Sequence, residues 1–265
     1  MDQQNEKPVK SSKAARVLRI VIISVVGFLL LSVLSVTIFV ISFRSVGDDI
    51  KSSGYFEYIV EKDDITNEKV VAVVGLTYDG MNREVIDVPR EIDGKPVRYI
   101  GRRVTKVNLM GVEYYHFESE NLKKIYLPDT VRMIDSDVFD YLKRADELEI
   151  MLCSCHNTTI RDIGEFNRIY LYKTLYESGD FSGDYAFANI VFMNNYSDEV
   201  NGGYYRLDNI GTGETIPEPP APEREGYTFG GWYTEPECVT AWDFGDSPRI
   251  EEGVEFRLYA KWRAM

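Results

Sequence analysis

Few residues in this chain of 265 have the types and spacing that could support chemistry. The densest group is Cys153-x-Cys155-His156, in which two thiols and an imidazole are ligands that Zn²⁺ accepts. A structural zinc site needs four such ligands, and the sequence contains no second pair of closely spaced Cys or His residues. We therefore predict no metal and no cofactor, since a glycine-rich phosphate loop is also missing from the sequence.

Catalysis requires an acid, a base or a nucleophile that converge on one site. The two histidines, His116 and His156, lie in no hydrolase or metalloprotease motif. Three aspartate pairs could serve a glycosidase or a calcium site, although 43 acidic residues give such pairs by chance: Asp63-Asp64, Asp135/Asp137 and Asp243/Asp246. We interpret His116 as a residue on the face of a repeat and the carboxylates as solvated surface groups. The protein is predicted not to be an enzyme, with no catalytic residues and with ligand-binding residues unknown.

The three cysteines, Cys153, Cys155 and Cys238, leave their pairing open. An odd number cannot all pair within one chain. A bridge between Cys153 and Cys155 would close a very tight loop, and a bridge from either residue to Cys238 would require the two halves of the chain to touch. Small thiols without a chemical role are the simplest interpretation.

The charge of the chain is negative overall and unevenly distributed. Lys and Arg number 30 against 43 Asp and Glu, which gives a net charge of −13. Five basic and two acidic residues lie within residues 1–43, so this segment carries +3 and the remainder carries −16. A nucleic-acid-binding protein would need a basic stripe, and none follows the N-terminus in the linear sequence. Nucleic acid is therefore excluded as an expected partner.

Residues 20–43 contain no charged side chain and are predicted to form a transmembrane helix. As a helix this segment would be about 36 Å long, enough to cross a hydrocarbon core of about 30 Å. The apolar run is longer than that of a cleaved signal peptide, and it lacks the polar face expected of a core helix in a globular domain. We therefore predict an uncleaved signal anchor in the bilayer. Because the basic residues precede it, residues 1–19 form a cytoplasmic tail and the rest lies outside the cell. The expected location is the cell membrane, single-pass, with an extracellular C-terminal domain.

After a polar stalk at residues 44–54, short apolar and polar alternations predict a mainly β structure. Five strand-like segments recur with central residues 21, 18, 25 and 19 positions apart: Val85–Val88, Lys106–Leu109, Lys124–Leu127, Leu148–Met151 and Arg168–Leu171. A second series recurs with them: Val97–Ile100, Val131–Ile134 and Ile160–Ile163. One strand per unit at this spacing favours a solenoid, because a single unit cannot bury its own apolar edge. The single candidate helix in this region is marginal and lies near Ser136–Glu147.

Two stretches of this region resemble the BspA-type leucine-rich repeats of bacterial surface proteins. They are VIDVPREIDGKPVRYIG at residues 85–101 and NLKKIYLPDTVRMIDSDVF at residues 121–139. Residues 179–189 (GDFSGDYAFAN) repeat the aromatic ending, whereas the third repeat, Leu148–Tyr172, lacks the expected Pro. The resemblance implies a short leucine-rich-repeat solenoid over residues 55–186.

The C-terminal segment closely resembles the Listeria–Bacteroides repeat, the B-repeat of internalin-type surface proteins. The motif runs from the prolines at 219–222 through EGYTFGGWY at residues 225–233 to LYAKW at residues 258–262. Ile190–Phe192 and the Asn-Gly-Gly sequence at 201–203 supply the usual first strand and turn. The resemblance implies one β-grasp-like module of four strands over residues 187–263. Its large aromatic residues, including Trp232, Trp242 and Trp262, are interpreted mainly as core residues of a small module.

The leading functional prediction is a membrane-anchored extracellular recognition or adhesion protein. Its stacked strands would present a repeat-built binding surface to a protein or glycan ligand outside the cell. The alternative is a structural or assembly subunit of the cell envelope that binds wall polymer or another membrane protein.

Overall fold

The computed structural model describes residues 50–102, 105–108, 111–143, 147–156, 158–161, 168–178, 185–196 and 200–265. The predicted cytoplasmic tail, the transmembrane segment at 20–43 and most of the stalk lie outside these residues. Within the described ranges, no helix has the length and apolar character required to cross a membrane. The described protein is mainly β, as the alternating sequence pattern predicts.

The described residues form eighteen strands and two short α-helices. The strands are β1 (Lys51–Ser53), β2 (Phe56–Lys62), β3 (Lys69–Leu76), β4 (Val85–Asp87), β5 (Glu91–Ile92), β6 (Lys95–Ile100), β7 (Thr105–Asn108), β8 (Gly111–Tyr114), β9 (Lys124–Leu127), β10 (Met133–Asp135), β11 (Glu149–Leu152), β12 (Thr159–Arg161), β13 (Arg168–Leu171), β14 (Tyr185–Phe187), β15 (Ile190–Met193), β16 (Tyr204–Asp208), β17 (Tyr227–Tyr233) and β18 (Phe256–Ala264). The helices are α1 (Tyr78–Met81) and α2 (Lys173–Ser178).

Three main sheets organise these strands. The first sheet has the order β1-β2-β3-β6-β10-β12, with β5 attached to β6, and the second has the order β14-β13-β11-β9-β4. All pairings in the second sheet are parallel, as are those from β3 through β12 in the first. The third sheet, formed near the C-terminus, has the order β16-β15-β18-β17.

The second sheet confirms most of the first predicted strand series. Ile86 pairs with Ile125, Ile125 with Ile150, and Ile150 with Ile169, so the central isoleucines stack in register. The prediction for Val107 is wrong, because its strand β7 pairs antiparallel with β8 in a separate hairpin. The hairpin β7-β8 forms because β8 follows β7 closely in sequence, so the two strands can pair through a short connection.

The second predicted series is correct for two members and shifted for the third. Ile100 pairs with Ile134, as the sequence spacing implies. Ile134 then pairs with Ile160, whereas the predicted series places Ile160 in line with Val131. The observed register of the third strand therefore differs from the predicted register by three residues. The predicted helix near Ser136–Glu147 is not continuous over the described residues, because Ser136–Phe139 forms a 3-10 turn and residues 140–143 are not helical.

The largest core lies between the first and second sheets. Its buried residues come from both, with Val71, Ile100 and Ile134 facing Ile125 and Ile150 across the interior. Each strand contributes only a few side chains to this core, so its apolar edge is covered only when the next strand stacks beside it. This arrangement explains why the strand pattern repeats.

The third sheet contains the four strands predicted for the C-terminal module. Its central pair, β15 and β18, is parallel, while β16 and β17 pair antiparallel on either side. The predicted turn is present, since Asn201 and Gly202 adopt positive φ angles of 57° and 61°. Residues 209–226, which connect β16 to β17, contain no helix.

We expect Ile125→Ala to lower the free energy of unfolding by about 2–5 kcal/mol, because Ile125 is fully buried on β9, an interior strand of the second sheet. Urea unfolding of the full chain in detergent measures the change. Val85→Ala is the matched control, since Val85 lies on the adjacent edge strand β4, is 51% exposed and should change stability by less than about 0.5 kcal/mol. Equal effects from both variants would contradict the assignment of this core.

Candidate functional site

A cleft opens where three chain segments meet at one end of the first sheet. Its volume is about 260 Å³. The segments are the residues that follow β6, those that follow β8, and the end of β10 with its 3-10 turn. The cleft is lined by Gly101, Arg102, Tyr115, His116, Asp135, Asp137, Val138, Asp140 and Tyr141.

Gly101 allows the chain to leave β6 directly beside β10. Its φ is +78°, and an added Cβ atom would lie 2.6 Å from the carbonyl oxygen of Asp135. The Gly101 amide donates to the carbonyl oxygen of Val73 at 2.8 Å, which holds the turn against the sheet. A side chain at this position would therefore push two walls of the cleft apart.

Two stacked rings form one wall of the cleft. The imidazole of His116 lies 3.7 Å from the Tyr141 ring, centroid to centroid, with an interplanar angle of 21°. His116 Nε2 is 3.0 Å from the Glu118 carboxylate, whereas its Nδ1 is buried and has no hydrogen-bond partner within the described ranges. Tyr141 is 61% exposed, so one face of its ring is covered by His116 while the side chain remains accessible to solvent.

Side chains of both charges surround these rings. Asp135, Asp137 and Asp140 lie on one side of the cleft. Partial burial raises the pKa of Asp140, and the neighbouring Asp137 carboxylate raises it further. Arg102 also lines the cleft; its Nε donates to Glu61 at 2.7 Å and its guanidinium lies over Tyr99 at 4.2 Å.

The structure brings together residues that the sequence treats as unrelated. His116 and the Asp135/Asp137 pair line the same cleft, because the backbone amide of Phe117 donates to the carbonyl oxygen of Val138 at 2.8 Å. Their separation in sequence hides this proximity. No sequence signal marks Tyr141, which lies between Asp140 and Leu142.

The other two aspartate pairs have structural roles. Asp63 is buried, which corrects the prediction of a solvated carboxylate. It accepts hydrogen bonds from the amides of Ile65 and Thr66 at 2.9 and 2.7 Å and from the Tyr99 hydroxyl at 3.1 Å. The Thr66 amide in particular lowers the pKa of Asp63. Asp243 accepts from the Gly245 amide at 2.8 Å within a turn.

The C-terminal module packs on the outer face of the second sheet. An apolar cluster joins the two, with Tyr126, Met151 and Tyr170 of the second sheet against Val191 and Leu207 of the third. All five are at least 95% buried. The predicted use of this strand face as a binding surface is therefore wrong for these strands, because the module already covers them.

Polar groups fix the register of this contact. Asp208 is buried and accepts from Lys124 Nζ at 2.7 Å and from the Tyr126 hydroxyl at 2.8 Å. The guanidinium of Arg206 lies over the Tyr126 ring at 3.3 Å and forms an ion pair with Asp87. Buried carboxylates of this kind require full hydrogen bonding, so the two bodies fit in one orientation.

The Cys153-x-Cys155 loop also takes part in the contact. The side chain of Asn201 donates to the Cys153 carbonyl oxygen at 2.7 Å and accepts from the Cys155 amide at 2.7 Å. All three cysteines are free thiols. Within the described residues, no group of three or more His, Cys, Asp and Glu side chains is placed to hold a metal ion. The motif that resembles a metal site is thus a docking loop for the Asn-Gly-Gly turn.

The aromatic residues of the C-terminal module are mostly packed in its core. Trp232 is buried, as predicted, and contacts Phe192 with ring centroids 4.8 Å apart. Trp242 and Trp262 are half-buried against the same core. The Trp262 indole donates to the Asn194 carbonyl oxygen at 2.6 Å, which secures the module's last strand.

Comparison with known protein families supports the C-terminal prediction. Residues 177–261 match the Listeria-Bacteroides repeat domain. The matched segment contains β15, β16 and β17 and the first six residues of β18. This family model does not cover the residues before 177, so it does not support the BspA-type assignment of the preceding repeats.

Three curated relatives share part of the chain. Two come from Evansella cellulosilytica and are named "Putative membrane protein" and "Putative Gly-rich membrane protein"; they are 36% and 33% identical over 105 residues, or 37% of this chain. The third is internalin H of Listeria monocytogenes, 44% identical over 52 residues, or 20% of this chain. The chain matches only 15%, 12% and 9% of the lengths of these relatives. Together these similarities indicate a surface-associated repeat protein.

We expect Asn201→Gly to lower the free energy of unfolding by about 1–3 kcal/mol, since it removes the two hydrogen bonds to the cysteine loop while glycine tolerates the positive φ. Asn67→Gly is the matched control, because Asn67 also has a positive φ, 59°, but is exposed. Urea unfolding and limited proteolysis after β14 are the measurements. A loss no greater than that of the control would show that Asn201 does not hold the module in place.

The three thiols should differ in reactivity. Burial raises the pKa of Cys153 to about 11, so at pH 8 this thiol is protonated as well as inaccessible. Cys155 and Cys238 are only half-buried. With iodoacetamide at pH 8 we expect Cys155 and Cys238 to be alkylated in the folded chain and Cys153 only after urea unfolding, as read by fragment-ion mass spectrometry. Equal labelling of Cys153 and Cys155 before unfolding would contradict the docked loop.

Proposed function

We propose that this chain is a single-pass membrane protein whose residues 44–265 lie outside the cell and recognise a ligand there. The observation that carries the proposal is the open cleft beside Tyr141, which is held by backbone contacts between three segments. Such a cleft, with aromatic and polar groups on a rigid frame, is the usual form of a binding site. The charge asymmetry around residues 20–43 supports the orientation.

The parallel strands of the first and second sheets support a finer assignment of residues 55–186. We propose that they are leucine-rich repeats of the BspA type, since the in-register stacking of Ile86, Ile125, Ile150 and Ile169 is what one strand per repeat requires. The following module is proposed to be β-grasp-like, on the basis of its four-stranded sheet with a parallel central pair.

The proposed role is recognition without catalysis. The imidazole of His116 is stacked on Tyr141 and oriented by Glu118, so its position is explained by packing. The carboxylates of the cleft offer acceptors for a bound ligand. Because the outer face of the second sheet is covered by the C-terminal module, binding is assigned to the cleft.

The orientation is tested by digesting wall-stripped cells with trypsin. Arg249 is 88% exposed at its side chain, so peptides cut there should be released before lysis. Peptides from residues 1–19 should appear only after lysis, which makes the same chain its own control. Release of the residue 1–19 peptides from intact cells, with protection at Arg249, would reverse the proposed topology.

Recognition is tested with the full chain in fluorescent proteoliposomes. These should bind target or neighbouring cells saturably, and Tyr141→Ala should reduce the binding, because it removes the accessible ring of the cleft. Tyr78→Ala is the control, since Tyr78 is also exposed but lies on α1 and not in the cleft. No saturable binding, together with crosslinking to a partner in the same membrane, would favour the alternative role in envelope assembly.

A further inference from the structure

The ligand class of the cleft can be narrowed by the shape and chemistry of its lining. Its volume of about 260 Å³ is slightly below the range of about 300–1,000 Å³ that holds drug-sized molecules. A single ring-sized chemical unit therefore matches the cleft better than an extended ligand. A longer polymer could place one such unit inside while the remainder stays in solvent.

Tyr141 supplies a fixed aromatic platform. Stacking on His116 restricts the orientation of its ring, and 61% of the side chain remains exposed. An oriented aromatic ring presents a negative face that attracts the weakly positive C–H groups of a saturated ring. Because Tyr has few rotatable bonds, its contact with a ligand costs little conformational entropy.

The polar groups around this platform are of both signs. Asp140 lies next to Tyr141 and is exposed, so its carboxylate is available as a hydrogen-bond acceptor. Arg102 also lines the cleft as a hydrogen-bond donor, although its charge is already balanced by Glu61. A cleft that contains both kinds of charge favours a neutral ligand with many donors and acceptors over a strongly charged one. The described carboxylates are also not grouped to hold a metal ion.

We propose that the cleft binds one pyranose unit of a neutral glycan, with a C–H face of the sugar on the Tyr141 ring and its hydroxyls donating to the Asp140 carboxylate. This inference depends on the proposed function, since it assigns a ligand class to the same site.

The test uses the full chain in a zwitterionic detergent without a sugar headgroup, so that the detergent does not compete. Saturation-transfer NMR is recorded with four probes: the methyl pyranosides of glucose, galactose, mannose and N-acetylglucosamine. We expect at least one to bind, with the strongest transfer to the C–H protons of one ring face. Nα-acetyl-lysine amide is the charged comparison and should bind more weakly.

Three variants assign the binding to the cleft. Tyr141→Ala should weaken the bound glycoside at least ten-fold, while Tyr141→Phe should keep most of the affinity because the ring remains. Asp140→Ala should weaken it several-fold through the lost acceptor. Tyr78→Ala is the matched control and should leave the affinity unchanged, and urea unfolding of each variant checks that the fold is retained.

The outcomes separate this inference from the proposed function. If no methyl pyranoside binds, if Tyr141→Ala binds as the parent chain does, or if the lysine derivative binds more tightly than every sugar, the glycan assignment is overturned. Saturable cell binding by proteoliposomes would then still support recognition of another ligand class. If the glycosides bind as expected but cell binding fails, the cleft assignment holds and the role in cell recognition does not.

Discussion

A parallel β-sheet needs cover on both of its faces, and this requirement governs the arrangement of the protein. The isoleucines of the second sheet face the first sheet across the main core. The opposite face carries Tyr126, Met151 and Tyr170, which no repeat can cover from within the stack. The C-terminal module provides that cover, so the stacked parallel strands and the module are parts of one folded body. The ion pairs and the Asn201 contacts then determine how the module is seated.

The sequence could predict features that depend on neighbouring residues. The strands around Ile86, Ile125, Ile150 and Ile169 follow from alternation and spacing, and the Asn-Gly-Gly turn follows from backbone preference. Where a strand can pair either with its neighbour in sequence or with a more distant strand, the alternation of apolar and polar residues does not predict which pairing forms. Val107 has the same alternation as the stacked strands, yet a hairpin closed within a few residues costs less chain entropy than a longer-range pairing.

The docking contact and the cleft could not be predicted, because both join residues that are distant in sequence. Arg206 meets Asp87 across 119 residues, and Lys124 meets Asp208 across 84. The cysteine loop shows how a local motif can mislead when distant contacts are unknown. Cys-x-Cys-His has the composition of a metal site, but the backbone of this loop is hydrogen-bonded to Asn201 in the turn of the C-terminal module. In the cleft, His116 and Tyr141 stack where the segments after β8 and β10 meet, joined by the hydrogen bond from the Phe117 amide to the Val138 carbonyl oxygen.

The place of the cleft within the first sheet has a mechanical consequence. The chain enters that sheet at β1, directly after the proposed anchor, and the cleft lies beyond β6 and β10 of the same sheet. A pull on a bound ligand would therefore reach the membrane through the hydrogen-bonded strands β1, β2, β3 and β6 and would bypass the C-terminal module. The tensile strength of the attachment would be set by the seven-pair β2–β3 ladder and its neighbours, while the module would carry no load.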